Sequence, residues 1–123
     1  MLMARILIVD DQKMICELLK DVLTQQGHVV DAVYNGLEAV DRVMKQSYDV
    51  VVIDRHMPEM TGIEAISLIR RNPRFKDLKI IICTSAAING EIEEAFDAGA
   101  NDYLIKPVDI HRLTAKIQKA LSH

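Results

Sequence analysis

Five short aliphatic runs alternate along this chain with segments of helical spacing, and that alternation limits the fold more than any other feature. The runs are Ile6 to Val9, Val29-Val30, Val50 to Ile53, Ile80 to Cys83 and Tyr103 to Ile105. Each has the length of a strand, and a strand that is apolar throughout is one buried on both faces. In the intervening segments apolar residues recur every three or four positions, which places them along one side of a helix. The clearest stripe is Met14, Ile15, Leu18, Leu19, Val22 and Leu23. Leu37, Val40 and Met44 repeat the pattern, as do Ile63, Ile66 and Ile69, then Ile92, Ala95 and Phe96, then Ile110, Leu113, Ile117 and Leu121. Punctuation supports the boundaries: Gly27 closes the first helix, Asn35-Gly36 precedes the second, Thr61 caps the third, Asn72-Pro73 ends it, and Gly99 closes the fourth. Buried strands separated by helices imply a parallel sheet covered on both faces and joined by right-handed crossovers, a doubly wound α/β sandwich.

A chain of 123 residues, half of them hydrophobic, buries an adequate core unaided. No Gly/Ser linker, internal repeat or low-complexity run divides it, so residues 1–123 read as one domain. Its 15 basic and 18 acidic residues leave a formal charge of -3, which gives no overall attraction to nucleic acid or anionic membrane. The one local charge cluster, Arg70-Arg71-Asn72-Pro73-Arg74-Phe75-Lys76-Asp77, reads as a solvated loop. Cys16 and Cys83 form no CxxC pair and read as free core thiols. No apolar stretch approaches the roughly 20 residues of a membrane span and the N-terminus lacks a signal peptide's apolar core, so a cytoplasmic location is expected.

The first aliphatic run leads straight into Asp10 and Asp11, and an unpaired carboxylate buried there would be costly. In open α/β sheets ligands bind beyond the carboxyl ends of the strands, where the strand order reverses. Asp54 follows the third run, Thr84 and Ser85 the fourth and Lys106 the fifth, while the second ends less distinctively at Asp31. Were the strands ordered 2-1-3-4-5, one of the common doubly wound arrangements, the first and third would be neighbours and Asp10, Asp11 and Asp54 would meet. Two carboxylates about 4 Å apart repel by roughly 4 kcal/mol at an effective dielectric of about 20, and three together call for a cation. Oxygen ligands without histidine or cysteine at ligand spacing favour Mg2+ or Mn2+ over zinc. Magnesium also recruits phosphate oxygens, which makes Asp54 a candidate nucleophile, Lys106 a fixed positive charge and Thr84 a donor to a phosphoryl oxygen. Taken singly, each has a plainer reading. Asp10 can cap the first helix, Thr84 can bond to backbone, Tyr103 can be core and Lys106 a plain exposed lysine. His28, His56, His111 and His123 show no ligand spacing, and solvent exposure is expected of all but His56. Met57 is expected to pack beneath the acceptor loop.

Together these residues resemble the receiver domains of bacterial two-component response regulators. The resemblance spans the chain: Ile6-Leu7-Ile8-Val9-Asp10-Asp11, then Asp54-Arg55-His56-Met57-Pro58-Glu59-Met60-Thr61-Gly62, Thr84, Ala98-Gly99-Ala100 and Tyr103-Leu104-Ile105-Lys106-Pro107. It implies the flavodoxin-like order 2-1-3-4-5 with five helices. It implies Asp54 as phosphoacceptor from a histidine kinase or phosphotransfer protein, with Asp10, Asp11, Asp54 and the backbone carbonyl of His56 holding magnesium. It further implies Thr84 as switch hydroxyl, Tyr103 as the aromatic that follows it, Lys106 as phosphate-binding lysine, and a cis Lys106-Pro107 bond. Two departures, Arg55 where an apolar residue is usual and Lys79 where proline is common, are expected not to touch the chemistry. His56 is less usual at its position, and its side chain is expected at the pocket rim, tuning water access.

The leading function is therefore a phosphorylation-driven switch, not an enzyme with an external substrate, although it promotes its own phosphorylation and dephosphorylation. Its output is expected through the face of the fourth helix, fifth strand and fifth helix, with Glu91, Glu94, Tyr103, Asp109, Arg112 and Lys116 as candidates. A free-standing magnesium phosphohydrolase acting through an aspartyl phosphate is the alternative, but His56 stands where such enzymes place a second carboxylate. A flavin carrier of the same topology would need a hydroxyl- and glycine-rich loop in place of Asp10-Asp11-Gln12-Lys13. No output domain follows Leu121-Ser122-His123, so a single-domain regulator, a relay shuttle and a receiver cut from a longer protein stay open. A monomer or a phosphorylation-dependent dimer is expected.

Overall fold

The structure, a computed structural model, describes residues 2–85 and 90–122. Its elements run β1 (Arg5–Val9), α1 (Lys13–Gln25), β2 (Val29–Val33), α2 (Gly36–Lys45), β3 (Val50–Asp54), α3 (Gly62–Arg70), a 3-10 turn (Pro73–Phe75), β4 (Lys79–Thr84), α4 (Glu91–Ala98), β5 (Asp102–Ile105) and α5 (Ile110–Leu121). The five strands pair in parallel in the order β2-β1-β3-β4-β5. Because side chains alternate across a strand, β1, β3 and β4 feed two separate cores. Leu7, Val9, Val51, Ile53, Ile80 and Ile82 meet α2, α3 and α4 on one face. Ile6, Ile8, Val50, Val52, Ile81 and Cys83 meet α1 and α5 on the other.

The helix boundaries follow from their caps. Asn35 accepts from the Glu38 N–H at the start of α2, and Thr61 and Glu64 form a reciprocal capping box at the start of α3. The stripes sit differently from the expectation. In α1 the buried side is Cys16, Leu19 and Leu23 with Ile15 against it, while Met14 is 83% and Leu18 56% exposed. At about 100° per residue, Cys16 extends the Leu19-Leu23 line and takes the place that Met14 and Leu18 were assigned. In the same way Ala39 and Val43 form the inner side of α2 and Ala95 that of α4, leaving Leu37, Met44 and Phe96 exposed. Asp31 is not at a strand end either: β2 continues to Val33, and Asp31 accepts from the Tyr48 hydroxyl at 2.6 Å with Arg42 3.9 Å away.

Arg70 corrects the reading of its segment as a solvated loop. Its guanidinium, half-buried, donates to Gly99 O at 2.9 Å, Phe75 O at 2.6 Å and Asn101 Oδ1 at 2.9 Å. It thus ties the end of α3 to the 3-10 turn and to the α4-β5 turn. Gly99, with φ +119°, supplies that turn's left-handed residue, and a Cβ there would meet the Arg70 side chain.

Candidate functional site

Three strand ends converge at the carboxyl edge of the sheet. Asp10 and Asp11 follow β1, Asp54 closes β3, and Lys106 follows β5. Asp10 and Asp54 are buried and Asp11 is exposed, yet one carboxylate oxygen from each lies within 4.8 Å of the other two. Lys106 Nζ is 3.0 Å from Asp54 Oδ2 and 3.4 Å from Asp10 Oδ2. Burial pushes the Asp10 carboxyl up, more than the Gln12 N–H donating to it at 2.9 Å lowers it; the Asp54 charge adds and Lys106 opposes. Burial weakens the Lys106 ammonium, but the hydrogen bond to Asp54 and the charges of Asp54 and Asp10 outweigh it and hold the group above the ordinary lysine value. Lys106 is therefore a permanent cation set between two buried carboxylates.

The donor set fits a hard cation. Three carboxylate oxygens with one solvent-facing member suit Mg2+, which keeps part of its water shell. The nearby thiols do not compete. Cys16 Sγ donates to Asp10 O at 3.3 Å, and burial together with the Asp10 charge pushes its pKa to about 11. Burial raises Cys83 to about 12. Both are neutral core thiols, as expected from their spacing.

The loop after Asp54 turns tightly beneath its carboxylate. Arg55 N–H donates to Cys83 O at 2.8 Å, His56 N–H to Asp54 Oδ1 at 3.3 Å, and Gly62 N–H to Arg55 O at 2.9 Å. A Cβ at Gly62 would collide with the Asp54 carbonyl oxygen, so only glycine lets the start of α3 come this close. Met57 is buried beneath the loop in the core, as expected, and the His56 side chain is exposed. Across the sheet Asp54 pairs with Cys83, so Thr84 ends β4 one residue beyond the level of Asp54. Thr84 O accepts from Lys106 N–H at 2.7 Å, and the Lys106-Pro107 peptide is cis. Tyr103 lies half-buried on β5 between the Phe96 ring, edge-on at 6.3 Å, and Lys116 Nζ, 4.9 Å from its own ring.

Three features went unforeseen. Arg55 is 8% exposed, because its guanidinium crosses to α4, donating to Glu91 O at 3.1 Å and pairing with Glu94 Oε1 at 3.1 Å. Glu91 in turn accepts from the Thr84 hydroxyl at 3.3 Å, so the first residue of α4 reaches the site. A charged residue where an apolar one is usual was the available signal for Arg55. His28, expected at the surface, is 3% exposed: Nδ1 accepts from Ala4 N–H at 3.0 Å while Nε2 has no hydrogen-bond partner among the described residues. His111 is exposed as expected, and His123 lies outside the described residues.

A family model of the response regulator receiver domain matches residues 6–118. The chain belongs to this family. It is 38% identical over 117 residues to the chemotaxis protein CheY of Thermotoga maritima, covering 94% of this chain and 95% of that protein. It is 33% identical over 119 residues to the response regulator ArlR of Staphylococcus aureus, covering 97% of this chain but 53% of ArlR, so it spans about half of that relative's length. Among solved structures it superposes on the response regulator TrrA of Thermotoga maritima, in complex with Mg2+-BeF, with a TM-score of 0.83 and 35% identity, covering 94% of this chain and 97% of that one. The receiver is a signalling domain, and its five-stranded order here is that of the family. Among the described residues no helix is long and apolar enough to cross a membrane.

Proposed function

We propose that this receiver takes a phosphoryl group onto Asp54 from a phosphohistidine of a histidine kinase or phosphotransfer protein. An Asp54 carboxylate oxygen attacks phosphorus, the P–N bond breaks, and the departing imidazole keeps the electron pair and takes up a proton. The reading is carried by Asp54 sitting buried at a strand end, with two further carboxylates within 4.8 Å and the Lys106 ammonium at 3.0 Å. Mg2+, held by Asp10, Asp11, Asp54 and the His56 backbone carbonyl, would neutralise charge on the incoming group. Lys106 offsets charge on the transferred phosphoryl, and the Thr84 hydroxyl donates to one of its oxygens. Tyr103 follows Thr84, and the α4-β5-α5 face, with Glu94, Asp109, Arg112 and Lys116, then changes its affinity for a downstream protein. Residues 1–123 act as a single receiver domain in the cytoplasm, monomeric or dimerising on phosphorylation, without direct contact to nucleic acid or membrane. The domain promotes its own phosphorylation and hydrolysis, with His56 at the rim tuning water access.

The test is labelling by a small acyl phosphate followed by intact mass. Magnesium-dependent addition of one phosphoryl group, lost in Asp54→Asn, supports the reading. Labelling that survives in Asp54→Asn, or that proceeds equally in chelator, refutes it.

A further inference from the structure

Resting on that reading, the arrangement of Arg55, Thr84 and α4 carries one step more. A threonine hydroxyl has a single proton to donate. Here the Thr84 hydroxyl donates to Glu91 Oε2 at 3.3 Å, and Glu91 is the first residue of α4. A phosphoryl group on Asp54 needs that same proton, and it cannot share the hydroxyl with a carboxylate of like charge. The position of Glu91 is itself fixed from the acceptor strand. Arg55, directly after Asp54, donates to the Glu91 backbone carbonyl at 3.1 Å and pairs with Glu94 Oε1 at 3.1 Å. The helix start has no side-chain cap of its own, since its N-cap is Gly90 in the left-handed region at φ 82°. Arg55 is thus the one described side chain from the acceptor loop that pins this turn.

We propose that Glu91 is a positioning residue for the phosphoryl reaction. It holds the Thr84 hydroxyl in the resting state, competes with the phosphoryl group for its proton, and is itself braced by the Arg55 strut. When the phosphoryl group wins the hydroxyl, Glu91 is released and the first turn of α4 loses one of its ties to the site. The identity of residue 91 therefore sets how tightly the phosphorylated state is held, and it couples Thr84 directly to α4.

The experiment is titration of the protein with Mg2+ and beryllofluoride, a stand-in for the phosphoryl group, followed by NMR. Glu91→Ala removes this competing acceptor, and the loss of one such hydrogen bond is expected to tighten binding by about two- to tenfold. Glu93→Ala, an equal charge change at an exposed position in the same turn, is expected to tighten it less. The deciding comparison is in a Thr84→Ala background, where Glu91→Ala is expected to give no more than the small gain of Glu93→Ala. Arg55→Met is expected to shift affinity in the same direction as Glu91→Ala, with Arg55→Lys intermediate. An unchanged affinity in Glu91→Ala overturns the proposal, as does an equal gain with and without Thr84, which would mean simple charge repulsion. Failure of the unaltered protein to bind beryllofluoride, or retained binding in Asp54→Asn, overturns the phosphoacceptor reading and this proposal with it.

Discussion

Replacing Asp11 with alanine should reverse sign with magnesium. Without the metal, Asp11 faces two carboxylates whose oxygens lie within 4.8 Å, and even at the dielectric of water each such pair repels by about 0.9 kcal/mol. Physiological salt, with a Debye length of about 8 Å, roughly halves this, leaving about 1 kcal/mol for the two pairs. Part of it is offset because Lys106 stands between those two carboxylates, and because Asp11 lies just ahead of α1, where a negative charge is worth about 0.3–1 kcal/mol. Asp11→Ala should therefore match or slightly exceed the original protein in stability when metal is chelated. At free magnesium ten times its dissociation constant, binding stabilises the original protein by about 1.4 kcal/mol, which is about 5 °C in Tm for a domain of this size. The variant should lose most of that gain and become the less stable of the two. Thermal unfolding of both proteins in chelator and across a magnesium titration reads the crossing. Equal magnesium-induced shifts would remove Asp11 from the metal site and pass the direct role to Asp10. A clear loss of stability in chelator would show that the carboxylates do not repel as argued.

Other perturbations separate the site from its scaffold. Arg70→Met removes one half-buried guanidinium from two carbonyls and the Asn101 amide, and should cost about 2–4 kcal/mol in urea unfolding while leaving magnesium affinity unchanged. His28 is held below the ordinary histidine value of 6.5 by burial. The unfolded chain then binds the proton first, so its contribution is intact above 6.5 and is lost as pH falls from there through the lower folded value. Urea midpoints measured across that window should fall more steeply for the original protein than for His28→Asn. His56→Asn should change the phosphoryl lifetime between about pH 5 and 8, and an unchanged profile removes the side chain from water access.

Much of this architecture was legible because β1, β3 and β4 are apolar on both faces, which only a covered parallel sheet explains, and because Asn35, Thr61 and Gly99 mark helix ends by local chemistry. Asp10, Asp11, Asp54 and Lys106 were legible for a related reason: each follows an aliphatic run directly, so the topology alone delivers them to one edge. What escaped depends on contacts across space. Nothing in the spacing says that Cys16, not Met14 or Leu18, faces inward, since a six-residue apolar set is wider than the face a helix buries. Arg70 and Arg55 look like surface charges until the carbonyls and carboxylates that receive them are placed. His28 is buried by its bond to Ala4, a residue 24 positions away. Glu91 sits on an exposed-looking acidic turn, and its approach to Thr84 follows only from the way α4 starts.

The most direct test of the account is to identify the phosphorylated atom. After transfer from a phosphohistidine donor in magnesium, borohydride reduction converts an aspartyl phosphate to homoserine, and peptide mass spectrometry locates it. Homoserine is expected at position 54 alone, and none when magnesium is chelated. Reduction at Asp10 or Asp11, or a phosphoryl group found on Thr84 or His56, would contradict it.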